Sequence, residues 1–166
     1  MTKSDLYATV KSYLNRPQMP DTDIDRYAEI VRGRLNTALR DHPRMLRTGF
    51  YTATANQNTV PLPYDILFLK AVRRGSLLLR QYSAATDLTD TSCMDEGFIA
   101  KGDCLELTHP QTEDTTYTVE YGQSIPGVSS SGNWVRDWFP DVMLYSILRE
   151  VSIALKDREN GPVWDD

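Results

Sequence analysis

Cysteine and histidine are scarce, with two of each in 166 residues. Cys93 and Cys104 stand eleven positions apart, which suits no metal motif, and two thiols build no disulfide framework. They read as two free, partly buried thiols, with a bridge between them left open. His42 and His109 each adjoin a proline, and neither has a second ligand at metal spacing on its own element. Both read as turn residues without a catalytic role.

Catalytic motifs are missing too. The chain has no G-x-S-x-G, no phosphate-cradling glycine loop and no H-E-x-x-H. Gly75, Gly97 and Gly102 stand singly between short runs. Asp21, Asp23 and Asp25 cluster at the start of a helix, but without the glycine and distal glutamate of a calcium loop. Acids in a first turn are what the helix dipole favours. The expectation is a non-enzyme with no catalytic residue, metal or cofactor.

No apolar run approaches a membrane span, and the opening MTKSDLYATVKSYLNRP has no signal-peptide core. A soluble protein folded in a cytoplasm, with no membrane partner, is expected. The formal net charge is −5 and the pI about 5.0, which argues against a free-standing nucleic-acid binder. A local basic surface remains compatible with that sum.

What is present is ordinary for a globular chain: 40% apolar and 25% charged residues, with nine Tyr, four Phe and three Trp as anchors. The length fits one domain, 1–166, without repeats or linkers. Leu6, Val10 and Leu14 recur at helical spacing after Thr2 or Ser4, predicting a helix over about 3–15. Pro17 and Pro20 break it. Asp21 or Thr22 then caps a helix over about 22–41, with Ile24, Ala28, Val31, Leu35 and Leu39 on one face.

The period changes over about 46–121, a β region of short runs separated by Gly, Asn and Asp. Hairpins are expected around Asn56-Gln57, around Arg74-Gly75-Ser76, where Gly75 tolerates positive φ, and around Lys101-Gly102-Asp103. Residues 83–90 suggest a short helix. Thr115 to Tyr121 alternates cleanly, with Tyr117, Val119 and Tyr121 on one face. After a loop over Ile125 to Asn133, a last helix is expected over about 140–157. Its apolar stripe reads as Val142, Tyr145, Leu148 with Ile147, Val151 and Leu155. The fold class is α+β: a helical bundle from both chain ends with an inserted antiparallel β-sheet.

Arginines gather in two clusters: Arg32, Arg34, Arg40, Arg44 and Arg47, then Arg73, Arg74 and Arg80. They read either as solvated faces balanced by acids or as an interface, since arginine suits interfacial ion pairs. Trp134 and Trp138 read as staples for the preceding loop. Trp164, past the last helix, reads as an anchor for a partner.

Four stretches carry a family resemblance. They are VKSYLN at Val10 to Asn15 with Arg34 to Arg40; Leu62 to Leu67 with Lys70 to Arg73; Gly102 to Leu107 with Tyr117 to Tyr121 and Ile125-Pro126; and Asn133-Trp134 with Pro140 to Tyr145 and Lys156 to Glu159 before Trp164. In order and spacing the chain resembles the head-to-tail adaptor (connector) proteins of tailed bacteriophages. The resemblance implies a structural virion protein at the head–tail interface. It further implies a homo-oligomeric ring, commonly dodecameric, bound beneath the portal protein. That ring extends the DNA channel, passes genomic DNA without reading its sequence, and offers a platform for tail (nozzle or tube) proteins. The candidate interface residues are Arg32, Arg34, Arg40, Arg44, Arg47, Arg73, Arg74 and Trp164. Two other readings stand beside it: another phage tail-completion or stopper protein, and a small DNA-binding regulator using the arginine-rich second helix.

Overall fold

The computed structural model describes residues 1–86, 88 and 94–159, of which 157–159 by backbone alone. Two units account for the chain: Met1–Arg40 with the residues from Ile125 on, and Asp41–Ser124.

In the first unit Thr2 caps α1 (Lys3–Tyr13) through a reciprocal box with Asp5, satisfying amides that the helix leaves open. Helix α2 (Asp21–Ala38) starts after Pro20 without a side-chain cap, and Asp21 and Asp23 lie in its first turn. The loop from Ile125 leads to α3 (Trp134–Trp138) and α4 (Pro140–Glu159). Helices α1, α2 and α3 each pack on α4. Leu6, Tyr7 and Val10 of α1 and Ile24, Ala28 and Val31 of α2 are buried. From α4, Met143, Leu144, Ile147 and Val151 are buried. This corrects the expected stripe, because Val142 and Tyr145 are 45% and 58% exposed. The stripe is rotated by about one residue, since Met143 and Leu144 bring the adjacent arc of the helix inward.

Trp138 is 65% exposed, and Trp134 is half-buried in an edge-to-face contact with the Phe139 ring. Polar groups hold the loop over 125–133. The Asn133 amide donates to Pro126 O at 2.8 Å and its oxygen accepts from Arg136 N at 2.9 Å. The buried Arg136 guanidinium donates to Val128 O at 2.7 Å. Ile125 N donates to the side chain of Asn36.

The second unit is built from eight strands in two sheets. These are β1 (Leu46–Ala53), β2 (Thr59–Pro61), β3 (Ile66–Arg74), β4 (Leu77–Leu78), β5 (Arg80–Gln81), β6 (Gly97–Lys101), β7 (Cys104–Leu107) and β8 (Thr115–Gln123). One sheet runs β1-β8-β3-β4 and the other β2-β7-β6-β5. Ala53, Val72, Tyr117, Val119 and Tyr121 of the first sheet meet Val60, Phe98, Leu105 and Leu107 of the second in one core. The alternation read at Thr115 to Tyr121 places Tyr117, Val119 and Tyr121 in that core.

The expected fold, a helical bundle from both chain ends with one inserted antiparallel β-sheet, is therefore corrected. The chain is α+β, with four helices and two four-stranded sheets, and it is not such a bundle. The strands carry a hydrophobic core of their own between the two sheets. Nor are they all antiparallel, because β5 runs parallel to β6.

The expected hairpin around Asn56-Gln57 also fails as a ladder. Strand β1 pairs with β8, whereas β2 pairs with β7 in the other sheet. The hairpin at Gly75, which has φ 57°, does form between β3 and β4, but only through Arg73–Leu78 and Arg74–Leu77. The chain then changes sheets at the buried Leu79, whose amide donates to Val72 O at 2.9 Å. The hairpin at Gly102 forms between β6 and β7. The helix expected over 83–90 falls partly outside the described residues; 84–85 form a turn.

Candidate interaction surfaces

The arginines singled out in the sequence lie in both units, and most already hold partners. On α2, Arg32 binds Glu29 through Nε at 2.7 Å and reaches Ile125 O at 3.4 Å. Arg34 is paired with Glu150 of α4, a carboxylate only 9% exposed that Arg149 also approaches at 3.4 Å. Val31, Leu35 and Ala38 form the apolar floor beside these three charges. Arg40 is exposed just past α2.

In the strand unit Arg44 is exposed in the turn before β1. Arg47 donates to the Gln123 side chain at 2.9 Å. On β3, Arg73 lies 3.6 Å from Glu120, and Arg74 binds Glu96 at 2.6 Å and Gln111 at 3.3 Å. Within each unit the structure thus spends Arg32, Arg34, Arg73 and Arg74 partly on their own chain. Trp164 and Cys93 lie outside the described residues; Cys104 is a free, half-buried thiol.

Periodicity did not mark the residues that stand out as exposed. In the helical unit these are Trp138, Phe139, Val142 and Tyr145, all at least 45% exposed within eight residues of chain. The Tyr145 hydroxyl is hydrogen-bonded to the exposed Tyr13 of α1, and the charge and hydrogen bond of that phenol push its pKa up. In the strand unit Phe50 is 73% exposed, and Tyr64, between Pro63 and Asp65, is 99% exposed. No local signal marked the first group, because Val142, Met143, Leu144 and Tyr145 are four consecutive apolar residues and the sequence does not say which arc of α4 turns inward. For Phe50 the signal was its place on β1 opposite the alternation of Tyr51 and Ala53.

Among the described residues no group of three or more His, Cys, Asp or Glu could hold a metal ion. No described helix is long and apolar enough to cross a membrane. What the geometry offers is exposed apolar surface: large rings and aliphatic groups that the chain leaves uncovered.

A family model covers almost the whole chain, matching residues 1–165, and it describes the SU10 adaptor protein. This chain belongs to the SU10 adaptor protein family. The family is one of bacteriophage adaptor proteins, structural components of the phage particle and not typically enzymes. No curated protein matches the chain.

Proposed function

We propose that this adaptor-family chain acts as a single adaptor-like unit over 1–166 in a head-to-tail connector. Copies form a closed ring beneath the portal protein, extend the DNA channel and present a platform to tail proteins. The observation that carries the reading is the family match over residues 1–165. A ring of identical subunits needs two unlike surfaces that meet head to tail and close on themselves. Exposed apolar groups on an α-helix and on a β-strand supply unlike surfaces. The candidate contact residues are Arg32, Arg34, Arg40, Arg44, Arg47, Arg73 and Arg74, with Trp164 outside the described residues. The net charge of −5 suits a channel through which DNA slides without being gripped.

Light scattering of the purified chain, alone and mixed with the portal of its phage, tests this. The expected result is stoichiometric capture of the chain by the portal as a ring. A chain that ignores the portal, yet binds DNA with a steep salt dependence, would overturn it in favour of a DNA-binding regulator.

A further inference from the structure

Val142, Tyr145, Arg149 and Ile153 follow one another at three- and four-residue steps along α4, within an arc of about 80°. All four are exposed, Arg149 with a side chain 69% accessible. Trp138 and Phe139 stand at the head of this stripe. Together the rings and aliphatic groups offer apolar area on the order of 500 Å², since each aromatic side chain carries about 150–250 Å². A stable complex buries about 800 Å² per partner, so this area is enough for its apolar centre.

A second uncovered surface lies in the strand unit. Register places Phe50, Thr118, Arg73 and Leu78 in one row across β1, β8, β3 and β4. Residues in one row point to the same face, so Phe50 and Leu78, 73% and 56% exposed, stand on the side of the sheet opposite the Tyr117–Val119–Tyr121 core. Their neighbouring row holds Thr48, Glu120 and Ala71. Thr52 and Thr116, 3.2 Å apart through their hydroxyls, extend the same polar–apolar surface.

We propose that a second copy of this chain occupies each surface: the α4 stripe of one copy packs on the Phe50–Leu78 sheet face of the next. A helix stripe and a sheet face are surfaces that cover each other when layers pack, and here Phe50 and Leu78 supply the exposed apolar groups of a mixed sheet face. Charge agrees. Arg149, 3.4 Å from Glu150, follows Tyr145 along the stripe, and on the sheet face the carboxylate of Glu120 lies 3.6 Å from Arg73, a separation loose enough to admit a second guanidinium. The pairing is heterologous, with different surfaces on the two copies, so it propagates and, with the right rotation, closes. It deepens the ring reading above and rests on it only for closure.

The test uses the full chain without portal, so its outcome is separate from portal capture. One variant carries Val142→Asp and Tyr145→Asp; the other carries Phe50→Asp and Leu78→Asp. All four positions are exposed, and circular dichroism confirms folding; Ser replaces Asp where it does not. The wild type is expected to gain mass with concentration, and each variant to stay at the 18.9 kDa of one chain. A one-to-one mixture should then give a species of twice that mass and nothing larger, because each partner keeps one intact face. The proposal is overturned if the wild type stays monomeric at its highest soluble concentration, or if either variant still associates alone. A variant that associates alone would mean that its intact surface meets its own kind, and a mixture that stays monomeric would equally overturn the proposal, because the two surfaces then do not meet.

Discussion

The Tyr7 hydroxyl of α1 donates to the Asp25 carboxylate of α2, and Lys3 Nζ holds the same carboxylate at 2.8 Å. With Lys11 and Asp21 at 2.7 Å, this acid ties the first helix to the second. Burial alone would raise the pKa of Asp25, but the bonds from Lys3 and Tyr7 outweigh it and hold the group below its ordinary value. A carboxylate lowered on folding adds stability above its unfolded pKa and loses it as pH falls through the folded one. Thermal melts should therefore show a falling Tm below about pH 4. Asp25→Asn should flatten part of that fall. The Asp25 side chain is 40% exposed, so the effect is a shoulder in the curve and not the whole of acid unfolding.

The alkaline side is set by phenols. Burial first, then the bond to Asp25, pushes the Tyr7 pKa up; burial, then the bond to Tyr121, pushes Tyr51 up to about 12. A group raised on folding contributes fully below its unfolded pKa, about 10, and its contribution disappears as pH rises through the folded value. Stability should decline above about pH 10, in step with late phenolate absorbance. Tyr51→Phe, which removes the 3.2 Å bond to the Tyr121 hydroxyl, should make the decline shallower.

Gly97 faces Arg80 across the parallel β5–β6 pair. A Cβ there would lie 2.3 Å from Arg80 O, a backbone atom that can move only with its strand. Gly97→Ala should cost about 1–3 kcal/mol in denaturant unfolding, the usual range for overpacking. An unchanged midpoint would show that β5 shifts freely.

The Tyr117 hydroxyl is wholly buried in the core between the two sheets and has no hydrogen-bond partner among the described residues. Tyr117→Phe removes a desolvated polar group, so it should be neutral or stabilising by about 1 kcal/mol. Leu105→Ala in the same core should instead cost about 2–5 kcal/mol. A loss on Tyr117→Phe as large as that on Leu105→Ala would contradict the unpartnered hydroxyl.

The sequence was legible wherever a feature was local. Thr2 before an apolar period caps α1, and Ile24, Ala28 and Val31 step inward at helical spacing. The alternation of Tyr117, Val119 and Tyr121 marks the buried face of β8. Gly75 and Gly102 turn their hairpins. The adaptor resemblance, carried by short pieces in order along the whole chain, agrees with the family match over 1–165.

Whatever depended on distant residues was decided by tertiary structure. No local signal says that β1 joins β8, more than sixty residues on, and leaves its neighbour β2 to the other sheet. Strand length agrees with that choice: β1, β3 and β8, of eight or nine residues, satisfy one another's backbone groups, and the three-residue β2 pairs with the four-residue β7. The helix stripe was legible in period but not in phase, since a one-residue rotation of α4 changes little in periodicity yet decides whether Val142 and Tyr145 meet core or solvent. Composition and periodicity determined that there would be amphipathic helices, alternating strands and surplus aromatic side chains. Packing decided which of those side chains the chain itself covers and which it leaves exposed, because burial is a property of two surfaces and a sequence window holds only one.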